Sequence, residues 1–390
     1  MDGPKPLRGV TVLDMSQGIA GPSCASHFAA YGARVVKLEP PEGDWIRKLG
    51  ARIAGASAAT IAYNRGKESI AVDLKTEEGR EIALELGEKA QVVLESARPG
   101  VMERLGLGFA QFRERNPSIV YVSISGYGQR GPKREAAMVD TVGQAFSGLM
   151  SVIRSREGAP VKIDVPLIDA ITGLYGFQAA SMELWGRKAG DPGRHIDISL
   201  MQSAAHIQAL NIVEHAWIGK PPALINPPAG NYPTADGWIA VTLVTEAQYQ
   251  AICRAIGRPD LATDPRYSTF AARSENLALL RREIDGALKT RPTAEWAAAF
   301  AREGALAAPI NNYGDWLDDS HVVAVDAAPA YELATGETVR MPHLPGGIMD
   351  DAAVPIIGEH SRSLLAELGY TREEVDAMIG RGVVIELGGE

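Results

Sequence analysis

The chain has 390 residues, of which 46% are hydrophobic and 22% are charged, and its formal net charge is −9. This length and composition predict a globular protein with a sizeable core, built as two or more domains or as one large α/β domain with an insertion. The acidic balance disfavours free nucleic acid as a partner, so an anionic ligand requires a local cluster of basic residues.

Cysteine content and hydropathy bear on the compartment. Cys24 and Cys253 are the only cysteines, too few and too far apart for a disulfide framework or a zinc motif. The segment MDGPKPLR lacks a signal-peptide pattern, and no apolar run is long enough to span a membrane. We therefore expect a cytoplasmic protein without a membrane partner.

The first part of the chain alternates strand and helix patterns. The predicted strands are VTVLDM, ARVVKLE, SIAVDL, QVVLES and IVYVSIS. A helix of small residues, GPSCASHFAAYG, separates the first two, and the amphipathic helix KTEEGREIALELGEKA separates the third and fourth. This alternation predicts a parallel, doubly wound sheet.

The later part of the chain predicts a smaller unit. Helical patterns cover 168–187 and MQSAAHIQALNIVEHAWI, on either side of the strand HIDISL, and the proline-rich segment KPPALINPPAGNYP then predicts a loop. The strand WIAVTLV and helices around AQYQAICRAIG, 272–289 and 293–303 follow. A hairpin in YELATGETVRMPHLP and two short helices end the pattern, the second capped by Thr371 with Glu374.

The segment GYGQRG at 126–131 matches the pattern G-x-G-x-x-G of dinucleotide-binding loops. In those loops the glycines open a helix, and an acidic residue follows about 20 residues later. Here Pro132 and the polar residues KRE come next, and no such acidic residue ends a second strand. We predict that these glycines serve a tight turn or a close approach to a ligand, not NAD binding.

Basic and polar residues follow several predicted strands, where open α/β sheets bind ligands. They are Lys37, Asn64, Arg65, Lys67, Arg98 and Arg104. Together they suit a polyphosphate, although each one alone is more commonly a surface charge. No H-x-x-x-H, HExxH, GxSxG or CxxC motif is present, so the sequence predicts neither a metal site nor a serine nucleophile.

Asp169 follows an apolar run and precedes a helical pattern. One interpretation is a helix N-cap, with the helix starting at Ala170. The other is a nucleophile, because a helix N-terminus stabilises an ionised carboxylate and such a carboxylate can form a covalent acyl intermediate. The residues alone favour the cap, and the two roles are compatible.

An ordered series of blocks resembles the class III CoA transferases, the group of formyl-CoA transferase and carnitine CoA transferase, whose fold α-methylacyl-CoA racemase shares. The blocks are PLRGVTVLDMSQGIAGP, GARVVKLEPPEGD, YNRGKESIAVDLKTEEG, ARPGVMERLGLG, SIVYVSISGYGQRGP, SGLMS, IDAITGLYG, HIDISLMQSA, YPTADGWIAV, RYSTFAARSEN and IGEHSRSLLAELGY. The resemblance covers nearly the whole chain, and the order of the blocks is more specific than any one of them.

The resemblance implies that Asp169 is the nucleophile, with Ile168 where glycine is common, and that Asp140 supports it. An acyl–aspartyl anhydride and an aspartyl-CoA thioester are the implied intermediates, with no metal. The resemblance implies contacts with CoA or acyl-CoA at Ile19, Ala20, Val72, Asp73, Leu74, Lys75, Ser96, Ala97, Arg98, Arg104, Met138, Val139 and Asp140. From the basic cluster we add Lys37 and Arg65 to these predicted contacts. Pro40 stands where some relatives have an arginine, so Lys37 is the alternative for that contact.

The resemblance also implies an acceptor loop, an architecture and an assembly. The loop is Ala229, Gly230 and Asn231, where INPPAGNYP is stiffer than the glycine run of formyl-CoA transferase, so specificity for formate or oxalate is not transferred. The implied fold is α/β, a Rossmann-like parallel sheet in a large domain built from both chain ends, with an inserted smaller α+β domain, in an interlocked homodimer. The boundaries are 1–205 for the large domain, 206–230 for a linker helix and Pro-rich loop, 231–330 for the small domain and 331–390 for a linker and the return to the large domain.

Three functions remain in competition. The leading one is a transferase that moves CoA from an acyl-CoA to a small carboxylic acid. The second is a 2-methylacyl-CoA racemase, which needs bases on both faces of the α-carbon, but the block MVDTVGQAFSG has Val139 where the racemases have histidine. The third is a non-catalytic acyl-CoA-binding paralogue, which does not require Asp169.

Overall fold

The computed structural model describes residues 5–53, 56–155, 158–188, 190–219, 226–333, 336–347 and 352–386. The chain divides into two compact units: the first unit is Met1–Ile212 with Ala327–Glu390, and the second unit is Val213–Asp326. The second unit begins inside the predicted linker 206–230 and ends close to the predicted return at 331.

The elements follow in chain order. The first stretch contains β1 (Thr11–Asp14), α1 (Ala20–Ala30), β2 (Arg34–Glu39), β3 (Arg52–Ile53), β4 (Ala56–Ser57), α2 (Ala58–Asn64), β5 (Glu68–Val72), α3 (Glu77–Glu88), β6 (Val92–Glu95), α4 (Val101–Arg104), α5 (Phe109–Arg115), β7 (Val120–Ser125), α6 (Asp140–Phe146), α7 (Leu149–Val152), α8 (Leu167–Gly186), β8 (Arg194–Ser199), α9 (Leu200–His206) and α10 (Ala209–Ile218). The next stretch contains β9 (Gly230–Pro233), β10 (Trp238–Thr242), α11 (Glu246–Ala255), α12 (Asp260–Thr263), α13 (Phe270–Glu275), α14 (Leu277–Leu288), α15 (Thr293–Glu303), β11 (Leu306–Pro309), α16 (Tyr313–Asp318) and α17 (Ser320–Ala324). The last stretch contains β12 (Ala330–Glu332), β13 (Thr338–Arg340), α18 (Ser361–Leu368), α19 (Arg372–Gly380) and β14 (Val384–Ile385). Short 3-10 helices lie at Trp45–Lys48 and Pro265–Tyr267.

A seven-stranded sheet in the order β14-β5-β2-β1-β6-β7-β8 forms the centre of the first unit. All its pairings are parallel except that of β14, which runs antiparallel to β5. The parallel strands alone have the doubly wound Rossmann order, whose switch point lies between β1 and β6. The predicted Rossmann-like sheet is therefore confirmed, and residues from the C-terminal part of the chain complete it.

Alternating residues of the central strands pack into two cores on opposite faces of this sheet. Leu13 and Val93 point to a core with α3, α18 and α19, while Val12 and Val122 point to a core with α1 and α8. All six residues of β7 are buried. Helices cover both faces, which explains the near-continuous apolar runs that predicted these strands.

Gly173 lets α8 pack closely on α1. A Cβ atom at this position would lie 2.7 Å from the carbonyl oxygen of Ala20 and 2.9 Å from the amide nitrogen of Cys24. The first turns of α8 therefore lie against the start of α1, which follows β1 at the switch point. The small residues of both helices, visible in the sequence, make this approach possible.

Buried ion pairs join β1, β2 and the start of β5. The Lys67 Nζ donates to Asp14 Oδ2 (2.8 Å) and Asn64 Oδ1 (2.9 Å), and the Lys37 Nζ lies 3.1 Å from Asp44 Oδ2 and 3.9 Å from Asp14 Oδ2. These lysine and aspartate side chains are fully buried. Burial alone would raise the pKa of Asp14, but Lys37 and Lys67 outweigh it and hold the pKa below its usual range.

The second unit has a three-stranded antiparallel sheet, β11-β10-β9. Its core includes Tyr232, Ile252, Trp296 and Phe300, and the predicted strand WIAVTLV and the helices after it are confirmed as β10, α11, α14 and α15. The predicted acceptor segment is only partly a loop, because Gly230 and Asn231 begin β9 and pair with β10. Ala229 precedes this strand.

Other predicted features can be compared with the described residues. Thr371 and Glu374 form the predicted capping box of α19, and β12 with β13 forms the predicted hairpin, apart from residues 334–335, which lie outside the described part. Much of the proline-rich segment, 220–225, also lies outside it. In the part of the chain that the structure describes, we find no helix with the length and hydropathy of a membrane span.

Replacing Lys67 tests the buried ion pairs. Lys67→Met leaves Asp14 with only the more distant Lys37, so we expect a loss of about 3–5 kcal/mol in the free energy of unfolding. Arg115→Met, which breaks the partly exposed Arg115–Glu81 pair, is the matched control and should cost less than about 1 kcal/mol. Urea denaturation followed by circular dichroism measures both, and equal losses would contradict the prediction.

Candidate functional site

A cavity of about 1140 Å³ lies at the carboxyl ends of the central strands of the first unit. Its lining includes Gln17 and Gly18 after β1, Ser96 to Pro99 after β6, Ser125 and Gly126 at the end of β7, and the first turns of α6 and α8. The position is the switch point, where doubly wound sheets bind ligands. The volume exceeds the range of about 300–1,000 Å³ typical of small-molecule pockets, so the cavity has room for a large ligand.

The two loops at the switch point are bonded to each other and to the buried ion pairs. The Gln17 N–H donates to Ser96 Oγ (2.9 Å), and the Gly18 N–H donates to Asp44 Oδ1 (3.0 Å). Gly18 has φ +82°, and a Cβ atom there would lie 2.5 Å from the Trp45 ring. Asp44 therefore links the floor of the cavity to Lys37 beneath it.

The cavity brings together most of the sequence-predicted site residues. Those that line it are Ile19, Ala20, Leu74, Ser96, Ala97, Arg98, Met138, Val139, Asp140 and Asp169. Val72 is buried in β5 and belongs to the core, while Asp73 and Lys75 follow that strand without lining the cavity. Arg104 does not line the cavity either, but it lies between Met102 and Leu105, which do.

Two predicted ligand contacts need correction. Lys37 is fully buried and bonded to Asp44 and to the Ser16 carbonyl oxygen, so it supports the site from below. Arg65 is buried too: its guanidinium lies 3.4 Å from the centre of the Tyr331 ring and donates to the Ala352 carbonyl oxygen. The prediction of a ligand contact used only the position of these residues near strand ends, whereas in the structure their side chains point into the protein interior.

Three cationic side chains line the cavity. The guanidinium of Arg98 forms no hydrogen bond or ion pair with the described residues, whereas Arg134 pairs with Glu135 and Lys162 pairs with Asp164. Both pairs are exposed, and such pairs contribute little and can be exchanged for another anion. The sequence prediction named Arg98 but missed Arg134 and Lys162, which follow no predicted strand directly.

Asp169 is not the N-cap that the sequence favoured. Helix α8 begins at Leu167 after Pro166, which forms no side-chain cap, and Asp169 is the third helical residue. It is partly exposed at the cavity wall, and no described residue donates a hydrogen bond to its carboxylate. The carboxylate is thus free to meet a ligand.

Asp140, which lies on a different helix, α6, caps the N-terminus of α8. Its Oδ2 accepts from the backbone N–H groups of Ile168 (2.6 Å) and Asp169 (3.1 Å). A carboxylate at these donors satisfies amides that the helix itself leaves unpaired. The residue predicted to support Asp169 therefore holds the turn that carries it, through the backbone.

The surroundings of Asp169 make its carboxyl group less acidic. Burial, and after it the negative charge of Asp140, raises the pKa of Asp169 from an ordinary 3.8 to about 7. The helix N-terminus was expected to keep this group ionised, and burial works in the opposite direction. Burial, followed by the charges of Asp169 and Asp140, also raises the pKa of the Tyr63 hydroxyl on α2.

The segment GYGQRG behaves as the sequence predicted. Gly128 and Gly131 have positive φ angles, and after β7 no helix begins in this described stretch before α6 at Asp140. Gly126 lines the cavity at the end of β7. The helix that a dinucleotide fingerprint requires is therefore missing here.

Comparison with known proteins gives consistent matches over nearly the whole chain. The model of CoA-transferase family III matches residues 7–361. Succinyl-CoA--D-citramalate CoA-transferase of Chloroflexus aurantiacus is 30% identical over 98% of this chain and 98% of its own length. Succinyl-CoA:glutarate CoA-transferase of Homo sapiens is 30% identical over 98% of this chain and 91% of its own. The crystal structure of a CAIB/BAIF family protein from Brucella suis matches with a TM-score of 0.83 and 30% identity over 93% of this chain and 99% of that one.

The raised pKa of Asp169 predicts a stability change with pH. The folded state binds this proton more tightly than the unfolded state, so ionisation of Asp169 costs stability as pH rises from about 4 to about 7. Asp169→Asn removes that cost and should unfold at a higher temperature than wild type at pH 8, with a smaller difference at pH 5. Scanning calorimetry measures this, with Asp164→Asn as the exposed control, and a difference that does not grow with pH would contradict it.

Proposed function

Because the chain belongs to CoA-transferase family III and is an enzyme of that class, we propose that it moves CoA from an acyl-CoA to a carboxylic acid through covalent intermediates on Asp169. The observation that carries the proposal is a carboxylate without a hydrogen-bond partner among the described residues, at the wall of a large cavity at the switch point. A partly buried carboxylate with a raised pKa is a suitable nucleophile because few water molecules compete for it.

The proposed reaction has four steps. An Asp169 carboxylate oxygen attacks the thioester carbonyl carbon, which gives an acyl–aspartyl anhydride and releases the CoA thiolate. The thiolate attacks the aspartyl carbonyl carbon, so that the donor acid leaves and an aspartyl-CoA thioester forms. The acceptor carboxylate then attacks this thioester, forming a second anhydride and the thiolate again. The thiolate finally attacks the acceptor acyl carbon, which yields the new acyl-CoA and restores the Asp169 carboxylate.

The basic residues around the cavity support a phosphate-bearing substrate. Arg98, Arg134 and Lys162 line it, and Arg104 and Lys75 lie in neighbouring segments. Guanidinium and ammonium groups bind phosphates through charge-assisted hydrogen bonds. We propose Arg98 and Arg104 as the first phosphate contacts, since neither guanidinium forms a hydrogen bond or ion pair with a described residue. The apolar side chains of Trp45, Leu49 and Leu74, which line the cavity, would contact the uncharged part of CoA.

The two similar transferases suggest where a substrate search should begin. Their names give succinyl-CoA as donor and D-citramalate or glutarate as acceptor. Succinyl-CoA with a dicarboxylic acid as acceptor is therefore the first type of donor–acceptor pair to test with this enzyme. The predicted segment Ala229–Asn231 stays a proposal for the acceptor contact.

We also propose the homodimer that the family resemblance implied. Trp185 on α8 and Trp217 on α10 are each 87% exposed, and Met182, Leu210 and Val213 are more than half exposed. Monomeric proteins rarely leave so many large apolar side chains in water on two helices. A partner subunit would cover them, and the interlocked arrangement and the cytoplasmic location remain predictions.

A covalent trap tests the transferase mechanism. Incubation with succinyl-CoA, followed by hydroxylamine, should convert Asp169 to a hydroxamate in the tryptic peptide 163–187. Asp169→Asn should give no adduct and reduce CoA transfer at least about 10⁴-fold, because the amide is not a nucleophile. Asp376→Ala, at an exposed position on α19, is the control.

Two experimental results would change the proposed function or its mechanism. Transfer at the wild-type rate by Asp169→Asn would remove the covalent mechanism. Absence of both adduct and transfer in wild type, across a full set of acyl-CoA donors and acids, would favour a non-catalytic acyl-CoA-binding protein. Because Asp169→Asn should be at least as stable as wild type, misfolding does not explain its loss of activity.

Deuterium exchange separates the transferase from a racemase. Val139 occupies the position of the racemase histidine and has no proton to transfer, so no second base is available there. In D2O and without an acceptor acid, a 2-methylacyl-CoA should gain no deuterium at the α-carbon. Incorporation at an enzymatic rate, measured by mass spectrometry, would instead support the racemase.

A further inference from the structure

Gln144 lies fully buried on α6, one turn after Asp140. Its Nε2 donates to Asp140 Oδ1 (2.6 Å) and to the Ile163 carbonyl oxygen (3.0 Å), and its Oε1 accepts from the Ile163 N–H (2.9 Å). One amide side chain therefore bonds the Asp140 carboxylate and both backbone groups of Ile163. We call these three residues the Gln144 clamp.

The clamp fixes both ends of the segment that leads into α8. Gln144 holds Ile163 at one end, and Asp140 holds the amides of Ile168 and Asp169 at the other. Asp164, Val165 and Pro166 lie between these points and line the cavity. The direction of the Asp169 side chain thus depends on α6, not on α8 alone.

The chemistry of the clamp also explains why a neutral donor is present. Asp140 accepts three hydrogen bonds, from two backbone amides and Gln144, and no described cation bonds to it. A lysine or arginine at 144 would neutralise the charge of Asp140 and so lower the pKa of Asp169. A glutamine is neutral, so it orients the Asp140 carboxylate and leaves the negative charge of Asp140 acting on Asp169.

We propose that Gln144 is a positioning residue for CoA transfer: through Asp140 and Ile163 it holds the first turn of α8 so that Asp169 points into the cavity. The inference rests on the proposed function, because it assigns Gln144 a role in that reaction. Gln144 does not line the cavity and acts only through other residues.

Gln144→Met tests the role against a matched control. Methionine has nearly the same size but forms none of the three bonds, so kcat should fall about 10- to 100-fold, while KM for acyl-CoA stays within about twofold of wild type. The control is Gln208→Met, which removes a buried amide bonded to Ala204 and Ser147 but not to the clamp. An equal kcat loss in both variants, or none in Gln144→Met, overturns the proposal.

Gln144→Glu gives a readout that simple destabilisation does not produce. The introduced carboxyl group and Asp140 would share one proton across the present hydrogen bond, and the carboxyl group still accepts from the Ile163 N–H, although it has no second proton to donate to the Ile163 carbonyl oxygen. Loss of that proton at higher pH makes the two anions repel each other. Both enzymes should gain activity as Asp169 ionises, but the activity of the variant should then decrease at higher pH, whereas wild type keeps its activity. A profile parallel to that of wild type contradicts the proposal.

Two titratable groups on other elements act electrostatically with Asp169, Asp140 on α6 and Tyr63 on α2, and of these two the charge of Asp140 raises the pKa of Asp169. Asp140→Asn tests this effect, because it removes the carboxylate charge and leaves Tyr63 in place. The acid limb of kcat should then move to lower pH. An unchanged acid limb would contradict the coupling of Asp140 to Asp169.

Hydrogen–deuterium exchange tests the clamp without any substrate. The peptide covering 163–170 should exchange faster in Gln144→Met than in wild type or Gln208→Met, because the amide of Ile163 loses its acceptor, and the amides of Ile168 and Asp169 keep an Asp140 carboxylate that Gln144 no longer holds in place. Unchanged exchange overturns the clamp. If wild type forms no adduct, the proposed function fails together with the role; a wild-type kcat in Gln144→Met rejects the role alone.

Discussion

Two backbone amides at the start of α8 share one carboxylate oxygen of Asp140, and the position of Asp169 follows from this contact. Hydrogen bonds to a charged group contribute about 1.5–3 kcal/mol each, more than a neutral pair. The same carboxylate that organises the turn also opposes the ionisation of Asp169. Asp140 thereby holds the turn that carries the candidate nucleophile and, together with burial, lowers its acidity.

Buried charged side chains support the loop after β1, which lines another part of the cavity. Lys37 bonds Asp44, and Asp44 bonds the amide of Gly18 at the switch point. Buried ion pairs contribute little net stability compared with an apolar core, but the loss of one partner leaves an uncompensated charge. Their effect here is to fix one geometry for the loop after β1, which a ligand then meets without rearrangement.

At Asp169, the stability of the fold opposes the proposed function. Its carboxylate is partly buried, has a like charge nearby and accepts no hydrogen bond from the described residues, so its ionisation costs free energy. The fold tolerates this cost because the two apolar cores and the close packing of α8 on α1 hold the backbone. Catalytic sites commonly contain groups of this kind, which reduce the stability of the fold.

Sequence reasoning succeeded where local pattern and chain order carry the information. The buried strands β1, β2, β5, β6 and β7 were visible as apolar runs and the partly buried β8 as the segment HIDISL, and their alternation with helices indicated the parallel sheet. Asp140, Asp169 and the strand-end segments at Ile19, Ser96 and Met138 line one cavity, while their predicted roles in catalysis and CoA binding stay predictions. These features depend on periodicity and on the family resemblance, both of which a single sequence contains.

Tertiary structure alone decided which of the predicted polar residues face a ligand. Lys37 and Arg65 turn inward because carboxylates, carbonyl oxygens and an aromatic ring from distant parts of the chain surround them. The cap of α8 comes from α6, 28 residues before the amide of Ile168, so no local rule could have found it. The sequence determined the sheet, the helices and the identity of the acidic residues, while contacts between remote segments determined the direction of each side chain and the acidity of Asp169.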